Sequence, residues 1–142
     1  MGTVIAPCAV KPAAEIVSGA TQTMLTRTAD VTPKEHRRLV LMDRESPLHT
    51  GHLRTLAKAS EIGAIIMPSM PAFYPKPASI EDIDDHTVGR TLDLFGIANS
   101  FSEHWTGKPA WGPNAINTRE PHVLAPIVQV FISVYFIVTL DR

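Results

Sequence analysis

The sequence predicts an α/β fold, a doubly wound parallel sheet with flanking helices. Two observations predict it. Short apolar runs alternate with longer stretches of helical spacing along the first two thirds of the chain. The runs are continuous rather than alternating, as in strands buried on both faces of a parallel sheet.

The first run is Thr3-Val4-Ile5-Ala6. A helix is expected over Lys11 to Ser18, with Gly19 in the left-handed position that closes it. Leu39-Val40-Leu41-Met42 is the second strand. Pro47 to Ile62 is the next helix, with Leu48, Leu53, Leu56 and Ala59 at roughly helical spacing and Gly63 as its stop. Ala64-Ile65-Ile66-Met67 is the third strand. A last helix begins at Ser79, where Ser79-Ile80-Glu81-Asp82 has the form of a capping box with Asp in place of Glu. Ile80, Ile83, Thr87, Val88, Thr91, Leu92 and Phe95 then share a face, and Gly96 ends it. The order begins abruptly on a strand. The expectation is a fold lacking its first strands, or one that takes neighbours from another subunit.

The chain has 142 residues, enough for one domain with a real core. A formal net charge of −1 gives no general attraction to nucleic acid or acidic lipid. One cysteine, Cys8, excludes a disulfide framework within the chain. Cys8 reads as a buried small apolar residue. His49 and His52 stand at i, i+3, but no further ligand follows at metal spacing, and a helix-surface pair is the expectation.

Three stretches could carry chemistry. In Ala6-Pro7-Cys8-Ala9-Val10-Lys11 a strand gives way to a helix, whose open N–H groups and Lys11 favour an anion. The same residues also suit a plain turn. Arg44-Glu45 follows the second strand at its carboxyl end, where α/β sheets place ligands. An arginine there can hold a phosphate, and the glutamate can orient it or move a proton. The proline-rich loop Pro68 to Pro77 presents Phe73 and Tyr74 as a stiff wall or a connector. Arg27, Lys34, Arg37, Arg38 and Arg54 add a basic cluster, which a solvated helix face also explains.

These motifs resemble a known family. Thr26-Arg27-Thr28-Ala29-Asp30-Val31, Lys34-Glu35, Arg44-Glu45-Ser46-Pro47-Leu48-His49, Gly51-His52-Leu53-Arg54, Gly63-Ala64-Ile65-Ile66-Met67-Pro68, Pro71-Ala72-Phe73-Tyr74 and Val88-Gly89-Arg90-Thr91-Leu92-Asp93 follow one another as in UbiX-type flavin prenyltransferases. The resemblance covers about three quarters of the chain. It implies a flavodoxin-like, Rossmann-like sheet and transfer of a dimethylallyl group from dimethylallyl monophosphate to reduced FMN, with no metal. It also implies a homo-oligomer, in the family a dodecamer with active sites at subunit contacts, and a UbiD-type decarboxylase as recipient of the prenylated FMN. By the same resemblance Ala9, Val10, Lys11, Pro12 and Arg44 are FMN-binding residues. Arg27, Lys34, Tyr74 and Arg90 bind the prenyl phosphate, and Lys34, Arg44 and Glu45 are catalytic. The location implied is the cytoplasm, or the mitochondrion of a fungus.

The sequence departs from the family where that family commonly reads Cys-Ser-x-Lys-Thr. Here the turn is Cys8-Ala9-Val10-Lys11-Pro12, without either hydroxyl. The second expectation for function is therefore a catalytically incomplete FMN-binding or assembly paralogue. Residues 1–107 form the expected flavoprotein domain. Residues 108–142 form a tail outside the resemblance. Its segment Leu124 to Leu140 has no charged residue and suits a membrane span, strands, or an extension foreign to the family.

Overall fold

The structure, a computed structural model, describes residues 2–101 and the backbone of residues 136–140. It divides into two units, Met1–Met70 with Ser133–Arg142, and Pro71–Ile132.

The first unit is a four-stranded sheet with three helices. Its elements are β1 (Gly2–Cys8), α1 (Val10–Ser18), α2 (Met24–Lys34), β2 (Arg38–Asp43), α3 (Thr50–Glu61), β3 (Ala64–Pro68) and a last strand over Phe136–Leu140. The strand order is β3, β2, β1 and then that last strand. β1, β2 and β3 are parallel, with Ile5 opposite Leu41 and Leu41 opposite Ile66. Phe136–Leu140 pairs antiparallel with β1, Gly2 opposite Leu140 and Ala6 opposite Phe136. That part of the apolar tail is strand. Residues 124–135 lie outside the described residues. No helix among the described residues is long and apolar enough to cross a membrane.

β2 is central, and its burial explains its composition. Leu39, Val40 and Leu41 have no exposed surface and Met42 is buried. A strand covered on both faces has no place for polar alternation. On one face Ile5, Leu39 and Leu41 pack with Ala13 and Ile16 of α1, Ala29 of α2 and Ala59 of α3. Each helix thus presents an alanine to the sheet, which lets its backbone approach closely. Burying a leucine such as Leu41 contributes about 1.5–3 kcal/mol.

α1 ends as the sequence predicts, with Gly19 at φ 69° and its N–H donating to the Ile16 carbonyl. A side chain at that φ would be strained, so glycine is the residue that fits. α2 has no counterpart among the sequence expectations. Thr23 caps it: its Oγ1 accepts from the Thr26 N–H, and the Thr26 Oγ1 accepts from the Thr23 N–H. Pro33 sits in its last turn, and the helix stops at Lys34. α3 begins at Thr50, not Pro47. His49 is its cap, with Nδ1 accepting from the Gly51 N–H at 2.9 Å. Of its apolar positions only Ala59 is fully buried; Leu48 precedes the helix and Leu53 is exposed.

The second unit contains α4 (Ile80–Asp93). The capping box is present, Ser79 Oγ accepting from the Asp82 N–H and Asp82 Oδ2 accepting from the Ser79 N–H. Val88, Gly89 and Thr91 are its buried positions, whereas Ile80, the first helical residue, is 73% exposed.

Candidate functional site

Neighbouring parallel strands deliver the residues that follow them to the same edge of the sheet, and β1 and β2 do so past an irregularity between Ile5 and Cys8. Cys8 ends β1 and Asp43 ends β2, and the two are partners in the ladder. Ala9 and Arg44 come next, so the start of α1 and the Arg44-Glu45 turn emerge side by side at the carboxyl edge. β3 ends there too: Pro68 is opposite Asp43, and the Ser69 N–H donates to the Asp43 carbonyl at 2.7 Å. Among the described residues this edge gathers Ala9, Val10, Lys11, Pro12, Arg44 and Glu45.

The start of α1 is open to an anion. Ala9 is its cap, in extended conformation, and offers no side-chain hydrogen bond. The first-turn N–H groups of Val10 and Lys11 precede the repeating helical bonds, which begin with Ala13 N–H to Ala9 carbonyl. Pro12 has no N–H. Lys11, Arg44 and Glu45 are exposed. Two open amides and two cations at a helix start fit the phosphate of a flavin mononucleotide. The hydroxyl donors that such a cradle gains from serine and threonine are lacking.

Beneath this edge the chemistry is quiet. Burial and the Asp43 charge push the Cys8 thiol up to about 12, against a smaller opposing hydrogen bond at Ala13. Cys8 therefore stays a thiol, as its apolar reading requires. Asp43 is buried, and its Oδ1 accepts from the Glu45 N–H at 3.4 Å, which bends the chain after Arg44. Sequence reasoning passed over Asp43, whose signal is a carboxylate closing an otherwise apolar strand.

Arg27 and Lys34 lie at the opposite end of the sheet. Lys34 is the last residue of α2 and precedes β2 by a short turn, whereas Arg44 directly follows β2. Six strand residues at ~3.3 Å each separate the two ends by roughly 20 Å. Arg27 lines a cleft of about 240 Å³ with Gly2 and Thr3 at the start of β1 and Arg37 before β2. It is exposed and stands 3.7 Å from Asp30. One copy of the chain does not bring Arg27 or Lys34 alongside Arg44.

Tyr74 and Arg90 belong to the second unit. Tyr74 is 65% exposed, and its hydroxyl lies 2.7 Å from Nε2 of His86. The rings meet edge to face with centroids 5.4 Å apart. Arg90 donates to Asp93 Oδ2 at 3.2 Å. Asn99 in turn donates to Asp93 Oδ1 and to the Gly89 and Ile97 carbonyls. Burial, then the neighbouring Arg90 guanidinium, hold the His86 imidazole below its ordinary value, and Asp93 partly offsets them. His86, Asp93 and Asn99 were not singled out from sequence. The signal was available for the first two, which stand four residues before and three after Arg90 on one helix.

His49 and His52 stack with ring centroids 3.7 Å apart. No group of three metal-ligating side chains occurs among the described residues.

No family model matches the chain. It is 50% identical to the flavin prenyltransferase UbiX of Methanothermobacter thermautotrophicus over 105 residues, covering 74% of this chain and 55% of that protein. It is 54% identical to the flavin prenyltransferase UbiX of Escherichia coli K12 over 109 residues, covering 75% of this chain and 58% of that one. The crystal structure of AnUbiX (PadA1) in complex with FMN and dimethylallyl pyrophosphate superposes with a TM-score of 0.69 at 49% identity, over 72% of this chain and 54% of that chain. A dodecameric FMN-dependent UbiX-like decarboxylase from Escherichia coli O157:H7 gives the same TM-score at 41% identity, over 73% of this chain and 56% of that one. The chain spans about half the length of the curated relatives it matches. Over about three quarters of its length, this chain belongs to the UbiX-type flavin prenyltransferase family.

Proposed function

We propose that the chain provides the prenyl-phosphate surface and part of the flavin surface of a flavin prenyltransferase. The reaction is transfer of a dimethylallyl group from dimethylallyl monophosphate to reduced FMN, and the product serves a UbiD-type decarboxylase. One observation carries the reading: the pairing of Cys8 with Asp43 at the ends of β1 and β2, past an irregularity in β1 after Ile5, sets the open helix start Ala9–Lys11 beside Arg44 and Glu45.

In this reading the Val10 and Lys11 N–H groups, the Lys11 ammonium and Arg44 hold the FMN phosphate and ring edge, with Ala9 and Pro12 shaping the turn. FMN, when bound, supplies the nucleophilic ring atoms that take the prenyl group. Arg27, Lys34, Tyr74 and Arg90 hold the prenyl phosphate. Its carbon–oxygen bond breaks with charge collecting on phosphate, and cationic side chains stabilise that charge. Lys34 and Arg44 act there as catalytic cations, and Glu45 orients Arg44 or takes up a proton. Because Arg27 and Lys34 lie at the far edge of the sheet, a second copy supplies them. The site is then shared between subunits of a homo-oligomer.

The test is anaerobic incubation of the purified chain with reduced FMN and dimethylallyl monophosphate. The expected result is a flavin heavier by one C5H8 unit. A chain that leaves the flavin unaltered is not a prenyltransferase. The uncapped Ala9 and the missing Pro12 N–H favour a second reading, an FMN-binding or assembly paralogue. It predicts flavin binding, or association with a complete relative, without turnover.

A further inference from the structure

The Tyr74 hydroxyl has a partner but no enclosing wall. The residue is 65% exposed, on a loop punctuated by Pro71, Pro75 and Pro77. What fixes its hydroxyl is His86, at 2.7 Å and edge-on to its ring. His86 precedes Arg90 by one helical turn on α4, so the imidazole and the guanidinium share a face.

We propose that His86 is a positioning residue for the prenyl-phosphate site: its Nε2–H donates to Tyr74 Oη and leaves the Tyr74 hydroxyl hydrogen free for a phosphate monoester. The proposal rests on the functional reading above and adds to it a residue that acts through Tyr74. A phenol has one hydrogen to donate, and a phosphate dianion offers only acceptors. If Nε2 is bare, the tyrosine spends its hydrogen on the ring and turns lone pairs toward the phosphate. If Nε2 carries the hydrogen, the tyrosine can donate outward. An anion at Tyr74 therefore selects the Nε2–H tautomer. The charged groups acting on His86 agree with a neutral ring: burial and Arg90 both disfavour the imidazolium, and Asp93 only partly opposes them. Positive charge for the phosphate is left to Arg90, which Asp93 holds at 3.2 Å.

The experiment titrates dimethylallyl monophosphate into the full chain in FMN-containing buffer by calorimetry, for wild type, His86→Phe, His86→Gln, Tyr74→Phe and the Tyr74→Phe/His86→Phe double variant. A thermal midpoint near wild type establishes that each is folded. His86→Phe is expected to bind about 3- to 10-fold more weakly, the range of one neutral hydrogen bond. His86→Gln, which keeps an N–H donor in reach of Tyr74, is expected to retain most of the affinity. The double variant is expected to bind no more weakly than Tyr74→Phe, because His86 acts only through Tyr74. In ¹⁵N spectra the His86 Nε2 is expected to be protonated in the complex. Wild-type affinity in His86→Phe, additive losses in the double variant, or a bare Nε2 in the complex each overturn the proposal while leaving the functional reading standing. A wild-type chain that takes no prenyl monophosphate overturns that reading, and this proposal with it.

Discussion

The hydroxyls of Thr3 on β1 and Thr32 on α2 lie 2.9 Å apart, and both residues are buried. Thr32 has one hydroxyl hydrogen, and it goes to the Thr28 carbonyl at 2.8 Å. Thr3 must therefore be the donor between the two. The bond ties α2 to the edge of the sheet where Arg27 and Lys34 emerge. Its polarity makes the two threonines unequal. Thr32→Val is expected to strand a buried donor on Thr3 and cost about 1–3 kcal/mol. Thr3→Val removes the donor and leaves Thr32 satisfied, at about 0.5–1.5 kcal/mol. The double variant is expected to cost less than the sum of the two. Urea unfolding of the three variants measures this, and equal costs for the single changes would contradict the assigned direction.

Cys8 provides a pH prediction. Its folded value is raised to about 12 by burial and by Asp43. A thiol raised on folding contributes stability that is present in full below its unfolded value, near 8.5. Between there and about 12 the unfolded chain loses the proton while the folded chain keeps it. Stability is thus expected to fall as pH rises across that window, and the fall is expected to be absent in Cys8→Ala. In the folded chain at pH 8 the thiol is expected to resist a disulfide reagent that labels it promptly in denaturant. Prompt labelling without denaturant would place Cys8 outside the core.

Much of this architecture is legible from residue patterns, and the exceptions have physical causes. β1 and β2 announce themselves as continuous apolar runs because both of their faces are buried, and β3 carries the same pattern although Ile65, Ile66 and Met67 are only partly buried. α4 is legible because Ser79 and Asp82 form a recognisable cap. α2 is not, because its capping box uses Thr26 where glutamate is the usual sign, and because Pro33 argues against a helix. Its threonines satisfy themselves instead, Thr28 and Thr32 donating to the carbonyls of Met24 and Thr28. The start of α3 is displaced because its cap is a histidine, an uncommon choice. Arg44 is legible from its place after a buried strand. The separation of Lys34 from Arg44 is not, since it depends on which end of β2 each adjoins. β-branched residues in the tail favour a strand, but nothing in Phe136–Leu140 names β1 as its partner.

Arg44 is expected to matter more to flavin binding than to stability. It is exposed, at the carboxyl edge beside the open helix start. Replacing it with alanine removes charge-assisted bonds worth about 1.5–3 kcal/mol each, or roughly 10- to 100-fold in affinity. Arg44→Lys is expected to recover only part, since an ammonium lacks the planar fork. Quenching of FMN fluorescence reads the affinity, and the thermal midpoint is expected to move little. An unchanged affinity in Arg44→Ala would separate this edge from the flavin.

The turn itself can be improved. Ala9 caps α1 without a side-chain acceptor, and Pro12 removes the N–H at the third helical position. In Ala9→Ser the new hydroxyl has one first-turn target, the Lys11 N–H, because Pro12 offers none. Ala9→Ser alone is expected to stabilise the fold by about 0.5–1 kcal/mol, toward the low end for a serine cap. In Ala9→Ser/Pro12→Thr a second backbone N–H and a second hydroxyl become available at the helix start. If this turn holds the flavin phosphate, the double variant gains donors aimed at a charged group, and FMN affinity is expected to rise about tenfold or more. Fluorescence quenching by both variants, together with the anaerobic prenyl-transfer assay, decides between the two functional readings. A gain in affinity accompanied by prenyl transfer identifies the Ala9–Pro12 turn as the feature that limits the enzyme. A gain in affinity without transfer assigns the chain to the flavin-binding paralogues. No gain in affinity, with the stability increase intact, makes the start of α1 a structural turn.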